Sequence, residues 1–230
     1  LRDKSVQAPL FSPDGNYLFY FTNDQYLQPV IYDLKNSEKL DLKINCSISG
    51  TYATWFSNEK IIYYGVKKDS KISGMFSYDL KSNEEKLEEE ISGGYVSFIK
   101  FFGSEVIFFI EKYNGEKSLK SLKVNGDVVA ISDNVVEVYD VEIIDENIYL
   151  LGRMSDNVYS LYDLSKNKRL IFNFPSKVIF EKGLSHTDNG EILFIGNNDG
   201  STKEKIYAYA NDSIYMINLD SGDYTFIEIN

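Results

Sequence analysis

An imperfect repeat runs the length of this 230-residue chain. Each unit holds an apolar run, a short polar break, a second apolar run, a loop, and a third run ending in Tyr-Asp-Leu or a relative. A polar turn and a fourth run close it. The first break reads Phe11-Ser12-Pro13-Asp14-Gly15. It returns as Phe56-Ser57-Asn58-Glu59, Phe102-Gly103-Ser104-Glu105, Ile144-Asp145-Glu146-Asn147 and Thr187-Asp188-Asn189-Gly190. Repeats of roughly 40–50 residues with four short strands each are the mark of a β-propeller. The period therefore predicts an all-β, five-bladed β-propeller of four-stranded antiparallel blades in one domain, residues 1–230. The blades are expected at about 6–45, 50–92, 94–132, 135–175 and 177–230.

Second strands such as Tyr17 to Thr22 and Val106 to Glu111 are aromatic and branched without polar alternation. That pattern suits strands packed on both faces. Fourth strands alternate, as in Lys39 to Ile44, and read as outer strands with one wet face. The acidic stretch Glu84-Glu85-Lys86-Leu87-Glu88-Glu89-Glu90 falls where an outer strand belongs, so it reads as a solvated edge. Acids there also keep an edge strand from pairing with other chains. Trp55, between Thr54 and Phe56, is expected to be buried near the end of an inner strand.

The formal net charge is −11, and the only arginines are Arg2, Arg153 and Arg169. A phosphate-backbone binder wants a basic face, so no nucleic acid is expected as partner. No apolar stretch approaches the ~18 residues of a membrane helix, and no membrane is expected as partner. Cys46 is the only cysteine, which excludes an internal disulfide and leaves the compartment open. The chain opens at Leu1 with no basic-then-apolar leader, which implies an excised domain or a removed upstream segment.

Candidate chemistry is sparse. His186 is the only histidine. Gly183-Leu184-Ser185-His186-Thr187 lacks the closing glycine of a nucleophile elbow, and no helical pattern follows it. One histidine and one cysteine do not fill a structural zinc set, so neither metal nor cofactor is expected. Asp140, Glu142 and Glu181, on inner strands, are the acids a glycosidase would need converging in the central funnel. No catalytic residue is assigned.

The third strands end at Leu34, Leu80, Val124, Leu164 and Leu219. The last interval is the long one, which places about ten extra residues within Asp199 to Asp212, either as a binding loop or as a hairpin lengthened by Lys205 to Ala210. Binding residues concentrate on the longer loops of rigid scaffolds. Asn198, Asp199, Lys203, Tyr207 and Tyr209 are therefore the candidate binding residues. Their end of the scaffold also gathers Asn23 to Gln28, Lys67 to Lys71, Lys112 to Lys117 and Ser155 to Asn157. On this reading, deleting Gly200 to Ala210 leaves the fold intact and weakens partner binding.

Phe11-Ser12-Pro13-Asp14-Gly15-Asn16-Tyr17-Leu18-Phe19-Tyr20, followed by Ile31-Tyr32-Asp33-Leu34, resembles the repeats of TolB-like propellers. The same repeat builds the propeller of prolyl-oligopeptidase-type peptidases, acylaminoacyl peptidases included. The resemblance implies a non-catalytic propeller that binds or gates, either beside a covalently linked α/β-hydrolase domain or as a free-standing interaction module. Its partners would be a protein, that hydrolase domain or a peptide ligand. The Ser, Asp and His of the peptidases lie in the hydrolase domain, and no residue here matches them. A five-bladed glycoside hydrolase is the alternative from another class.

Overall fold

The computed structural model describes residues 5–23, 27–171, 174, 177–178, 182–197, 203–218 and 221–227. It is all-β. Five antiparallel sheets follow one another along the chain, each built from a contiguous stretch, and together they are the blades of a five-bladed propeller. Blade one holds β1 (Val6–Phe11), β2 (Tyr17–Asn23), β3 (Leu27–Asp33) and β4 (Glu38–Lys39). Blade two holds β5 (Cys46–Trp55), β6 (Lys60–Lys67), β7 (Ser73–Asp79) and β8 (Glu84–Glu90). Blade three holds β9 (Gly94–Phe102), β10 (Glu105–Lys112), β11 (Lys117–Lys123) and β12 (Val128–Ser132). Blade four holds β13 (Val135–Ile144), β14 (Asn147–Met154), β15 (Tyr159–Asp163) and β16 (Lys168–Arg169). Blade five holds β17 (Lys177–Val178), β18 (Leu184–His186), β19 (Ile192–Asn197), β20 (Glu204–Ala210), β21 (Ser213–Ile217) and β22 (Tyr224–Ile227). Among the described residues no helix is long and apolar enough to cross a membrane.

The chain divides into two compact units, residues 1–116 with 120–130 and residues 117–119 with 131–230. In the first, the Ser-Pro-Asp-Gly break is a tight turn. Gly15 takes φ +72°, open to glycine at little cost. The Asp14 carboxylate accepts from Ser12 Oγ at 2.7 Å and from the Asn16 amide at 3.1 Å, and Ser12 Oγ in turn accepts from the Tyr17 amide at 2.9 Å.

The missing polar alternation of β6 has a direct cause. Ile61 and Tyr63 pack with Phe19, Phe21, Ile31, Phe76 and Tyr78, whereas Ile62 and Tyr64 pack with Val106, Phe108 and Ile110. Both faces of the strand are core. Each such side chain contributes about 1.5–3 kcal/mol through burial. Trp55 is 8% exposed at the end of β5, as its sequence neighbours imply. Its Nε1–H donates to the Leu10 carbonyl at 2.9 Å, tying the inner strands of blades one and two.

Two outer strands differ from expectation. The Lys39 to Ile44 stretch is a strand only over Glu38–Lys39. The chain then leaves its own sheet: the Lys43 amide donates to the Tyr78 hydroxyl at 3.1 Å, and Leu40, Leu42 and Ile44 pack on the core shared with blade two. The acidic stretch is the strand it was read to be, but it is not solvated throughout. The Glu88 side chain is 1% exposed, held by Lys86 Nζ at 2.6 Å, Lys60 Nζ at 3.3 Å and Ser77 Oγ at 2.6 Å. Burial raises its pKa, but the two lysines and the serine outweigh burial and hold it below the usual carboxylate value.

In the second unit, Leu151, Leu161 and Ile171 of blade four meet Ile192, Phe194, Tyr207, Tyr209 and Ile214 of blade five. Blade five decides between the two sequence readings of its surplus, in favour of strand. Both β17 and β18 pair with β19, and β20, β21 and β22 follow in order. The extra residues are mostly strand β20, not a lengthened loop. Lys-Ile-Tyr-Ala-Tyr-Ala alternates at period two, and pairing Ile192↔Tyr209 through Asn197↔Glu204 satisfies its backbone.

Candidate functional site

The inner strands of the second unit bring together two of the sequence's candidate acids and its one histidine. Asp140 and Glu142 stand two residues apart on β13 and so share a face. Asp140 is a brace. Its Oδ1 accepts from the Val141 amide at 2.8 Å and its Oδ2 from the Leu184 amide at 2.6 Å. The carboxylate thus ties the start of β18 to β13. Gly183 makes the approach possible. It takes φ +71°, and a Cβ there would overlap Asp140 Oδ2 and lie 3.2 Å from Asp140 Cγ. Glu142 Oε1 faces His186 Nδ1 at 3.3 Å, with side chains 10% and 44% exposed. Glu181, the third acid of the sequence-based group, lies outside the described residues. Among the described residues no three His, Cys, Asp or Glu side chains are grouped to hold a metal ion. The arrangement holds two inner strands together.

The candidate binding residues are dispersed. Asn198 and Asp199 lie outside the described residues. Lys203 is exposed just before β20. Tyr207 and Tyr209 point the other way from solvent. Tyr207 is 2% exposed and stacks on Phe194 with ring centroids 5.6 Å apart. Tyr209 is 7% exposed and donates to Asp212 Oδ1 at 2.8 Å. Burial, then that hydrogen bond, pushes its hydroxyl pKa up. Two residues apart on one strand, both rings face the core shared with blade four. The proposed deletion of Gly200 to Ala210 would therefore remove a central strand of blade five.

Exposed aromatics lie elsewhere: Phe11 at the end of β1, Tyr224 and Phe226 on β22, and Tyr95, Tyr113 and Tyr159 in blades three and four. In blade three, Tyr113 follows β10 and is 79% exposed; Tyr95, near the start of β9, is 43% exposed. Their ring centroids are 6.3 Å apart at 37°. In blade four, Tyr139 and Tyr159 lie 5.8 Å apart at 50°. Glu137 Oε2 accepts from Arg153 Nη2 at 2.9 Å and from the Tyr159 hydroxyl at 3.0 Å. The Arg153 guanidinium sits over the Tyr159 ring, 5.1 Å from its centroid. The Tyr139 hydroxyl is pushed up to about 12, by desolvation first and then by hydrogen bonds to Glu137 and Tyr159. Sequence reasoning passed over Tyr113. The signal was present: a tyrosine in the turn Tyr113-Asn114-Gly115 sits on neither face of a strand and has no core to enter.

These features define a five-bladed propeller in which Asp140 braces two inner strands and Tyr113 of blade three stands exposed beside Tyr95. No protein-family model matches the chain, and no curated protein matches it in sequence. Solved structures share its fold. A prolyl endopeptidase superposes with a TM-score of 0.66 at 12% identity, over 97% of this chain and 42% of that one. Dipeptidyl peptidase 4 of Porphyromonas gingivalis gives 0.61 at 13% identity, over 98% of this chain and 39% of that one. An oligogalacturonate lyase from Vibrio parahaemolyticus gives 0.54 at 11% identity, over 94% of this chain and 75% of that one. This chain therefore spans about two fifths of the length of the two peptidases. The architecture is the one implied by the resemblance of Phe11 to Tyr20 to prolyl-oligopeptidase-type repeats.

Proposed function

We propose that this chain is a non-catalytic binding domain, working as the accessory, substrate-gating propeller of a longer peptidase-type protein. The observation that carries the reading is how the inner-strand acids are used. Asp140 gives both oxygens to backbone amides, and Glu142 faces His186. General acid–base chemistry needs a group within reach of a substrate proton and able to give or take it. Likeness to the propeller of a prolyl endopeptidase more than twice this length supports the accessory role. Fold alone does not choose among functions, so the role is tested by assay.

The purified chain is expected to show no turnover of p-nitrophenyl acetate or of a chromogenic prolyl anilide above buffer. Turnover that falls in His186→Ala or Glu142→Gln would overturn the non-catalytic reading. Binding is checked separately by titrating short peptides and following backbone amide shifts, which are expected at the ends joining second and third strands. Shifts confined to the opposite ends would refute the choice of face.

A further inference from the structure

Where the chain leaves blade one it encloses, against blade two, a small pocket. Leu40, Asp41, Leu42, Tyr78, Leu80 and Asn83 line a volume of about 170 Å³ that is partly open to solvent. Both walls are fixed by hydrogen bonds. The Leu40 amide donates to the Ile31 carbonyl at 2.9 Å and the Lys43 amide to the Tyr78 hydroxyl at 3.1 Å, so the segment between them is pinned at each end. Opposite, the Leu80 amide donates to the Glu59 carbonyl at 2.8 Å. Asp79 Oδ1 accepts from the Lys81 and Ser82 amides at 2.9 and 3.0 Å, and Asn83 takes φ +57° in the same turn. The Tyr78 hydroxyl donates to Asn83 Oδ1, which holds this buried ring in place and keeps it from filling the void. Pockets formed before the ligand arrives are the usual small-molecule sites.

Two chemistries meet in the lining. Leu40, Leu42 and Leu80 supply an apolar wall, and a space slightly larger than one that takes a six-carbon ring suits a guest of about six heavy atoms. Asp41 supplies charge. It is exposed, and among the described residues it has no hydrogen bond or ion pair, even to its chain neighbours Lys39 and Lys43. Burial raises the Tyr78 hydroxyl pKa, the Lys43 amide opposes that, and the Asp41 charge adds to the rise, which sets the carboxylate near the pocket's polar end. A carboxylate beside an aliphatic wall complements an alkyl chain that ends in a cation, and the net charge of −11 favours cations around the whole chain. The β7–β8 turn lies at the opposite end of blade two from the β6–β7 loop. The pocket is therefore separate from the peptide-binding ends proposed above.

We propose that this pocket is a binding site for a small primary alkylammonium ligand of about five carbons. The alkyl chain lies against Leu40, Leu42 and Leu80, and the ammonium pairs with Asp41. The site does not rest on the accessory-domain reading, and either can fail alone.

The full chain, 15N-labelled, is titrated at pH 7 and low salt with pentylammonium chloride and, in parallel, with 1-pentanol. Pentylammonium should shift the Leu42 and Leu80 amides and the Asn83 side-chain amide, and bind about fivefold tighter than the alcohol. Shortening the amine to propylammonium should weaken binding by up to about fourfold per methylene removed. Asp41→Asn, at an exposed position, should keep the unfolding midpoint and lose the preference for amine over alcohol. Equal binding of amine and alcohol, or a preference that survives Asp41→Asn, would overturn the ammonium site. Affinity independent of chain length would overturn the apolar wall. Absence of shifts at all three reporters in millimolar amine would remove the site altogether. If acetyl-Gly-Lys-Gly-amide bound as tightly as pentylammonium, the occupant would be a peptide lysine, and the small-ligand proposal would fall.

Discussion

Replacing Gly183 by alanine should be among the most damaging single-methyl additions in the second unit. Two costs combine. At φ +71° an L-residue pays about 1–2 kcal/mol for the left-handed conformation. The new Cβ also overlaps Asp140 Oδ2, the oxygen that holds the Leu184 amide at 2.6 Å. Displacing that oxygen strands a buried donor, worth about 1–3 kcal/mol. The expected total is about 3–4 kcal/mol, the sum of those two ranges near their centre. Hydrogen exchange at the Leu184 amide reads the loss directly, and denaturant unfolding followed by circular dichroism reads its global part. The mechanism is isolated by a cycle with Asp140→Ala. In that background the carboxylate is gone and only the conformational cost remains, so Gly183→Ala should cost about 1–2 kcal/mol. Equal costs in both backgrounds would refute the brace and leave backbone strain as the whole effect.

Tyr207→Ala should destabilise by about 3 kcal/mol or more in denaturant unfolding, since it empties the core between blades four and five, whereas Lys203→Ala should leave the midpoint unchanged. Glu88 has a folded-state pKa below its unfolded value, so its contribution is present above the unfolded value near 4.5 and is lost as pH falls through the folded one. Wild type should therefore lose stability faster than Glu88→Gln in an acid titration below that pH; parallel curves would contradict the network. Cys46 is 2% exposed, and burial followed by Glu85 pushes its thiol up to about 12. A thiol reagent at pH 8 should react with it only after denaturant is added, and prompt native-state reaction would argue against burial. Native Trp55 emission should be blue-shifted, and Trp55→Phe, which strips the Leu10 carbonyl of its donor, should cost about 1–2 kcal/mol.

The repeat in the sequence carried the blades, because each blade must bury both faces of its middle strands and so repeats the same aromatic and branched pattern. Ile61 to Tyr64 show this: four consecutive apolar residues need two neighbours, and two they have. Trp55 was legible for the same reason. Strand ends were less so. Lys39 to Ile44 alternates like a strand, yet only as far as Leu40 does it bond to its own blade; the Lys43 amide goes to Tyr78 of the next blade, a partner the local pattern does not contain.

The site was the least legible part. Chain length placed a surplus in blade five, but whether surplus residues form a loop or a strand depends on a free edge beside them, which β19 supplies. Tyr207 and Tyr209 were thereby carried into the core. Acids two apart on a strand announced a shared face for Asp140 and Glu142. That Asp140 serves a backbone amide 44 residues away is a consequence of two strands meeting, and only the folded chain brings them together. The Tyr95–Tyr113 pair follows the same rule: each ring is a single residue in the sequence, and the two meet when the tip after β10 settles against the start of β9.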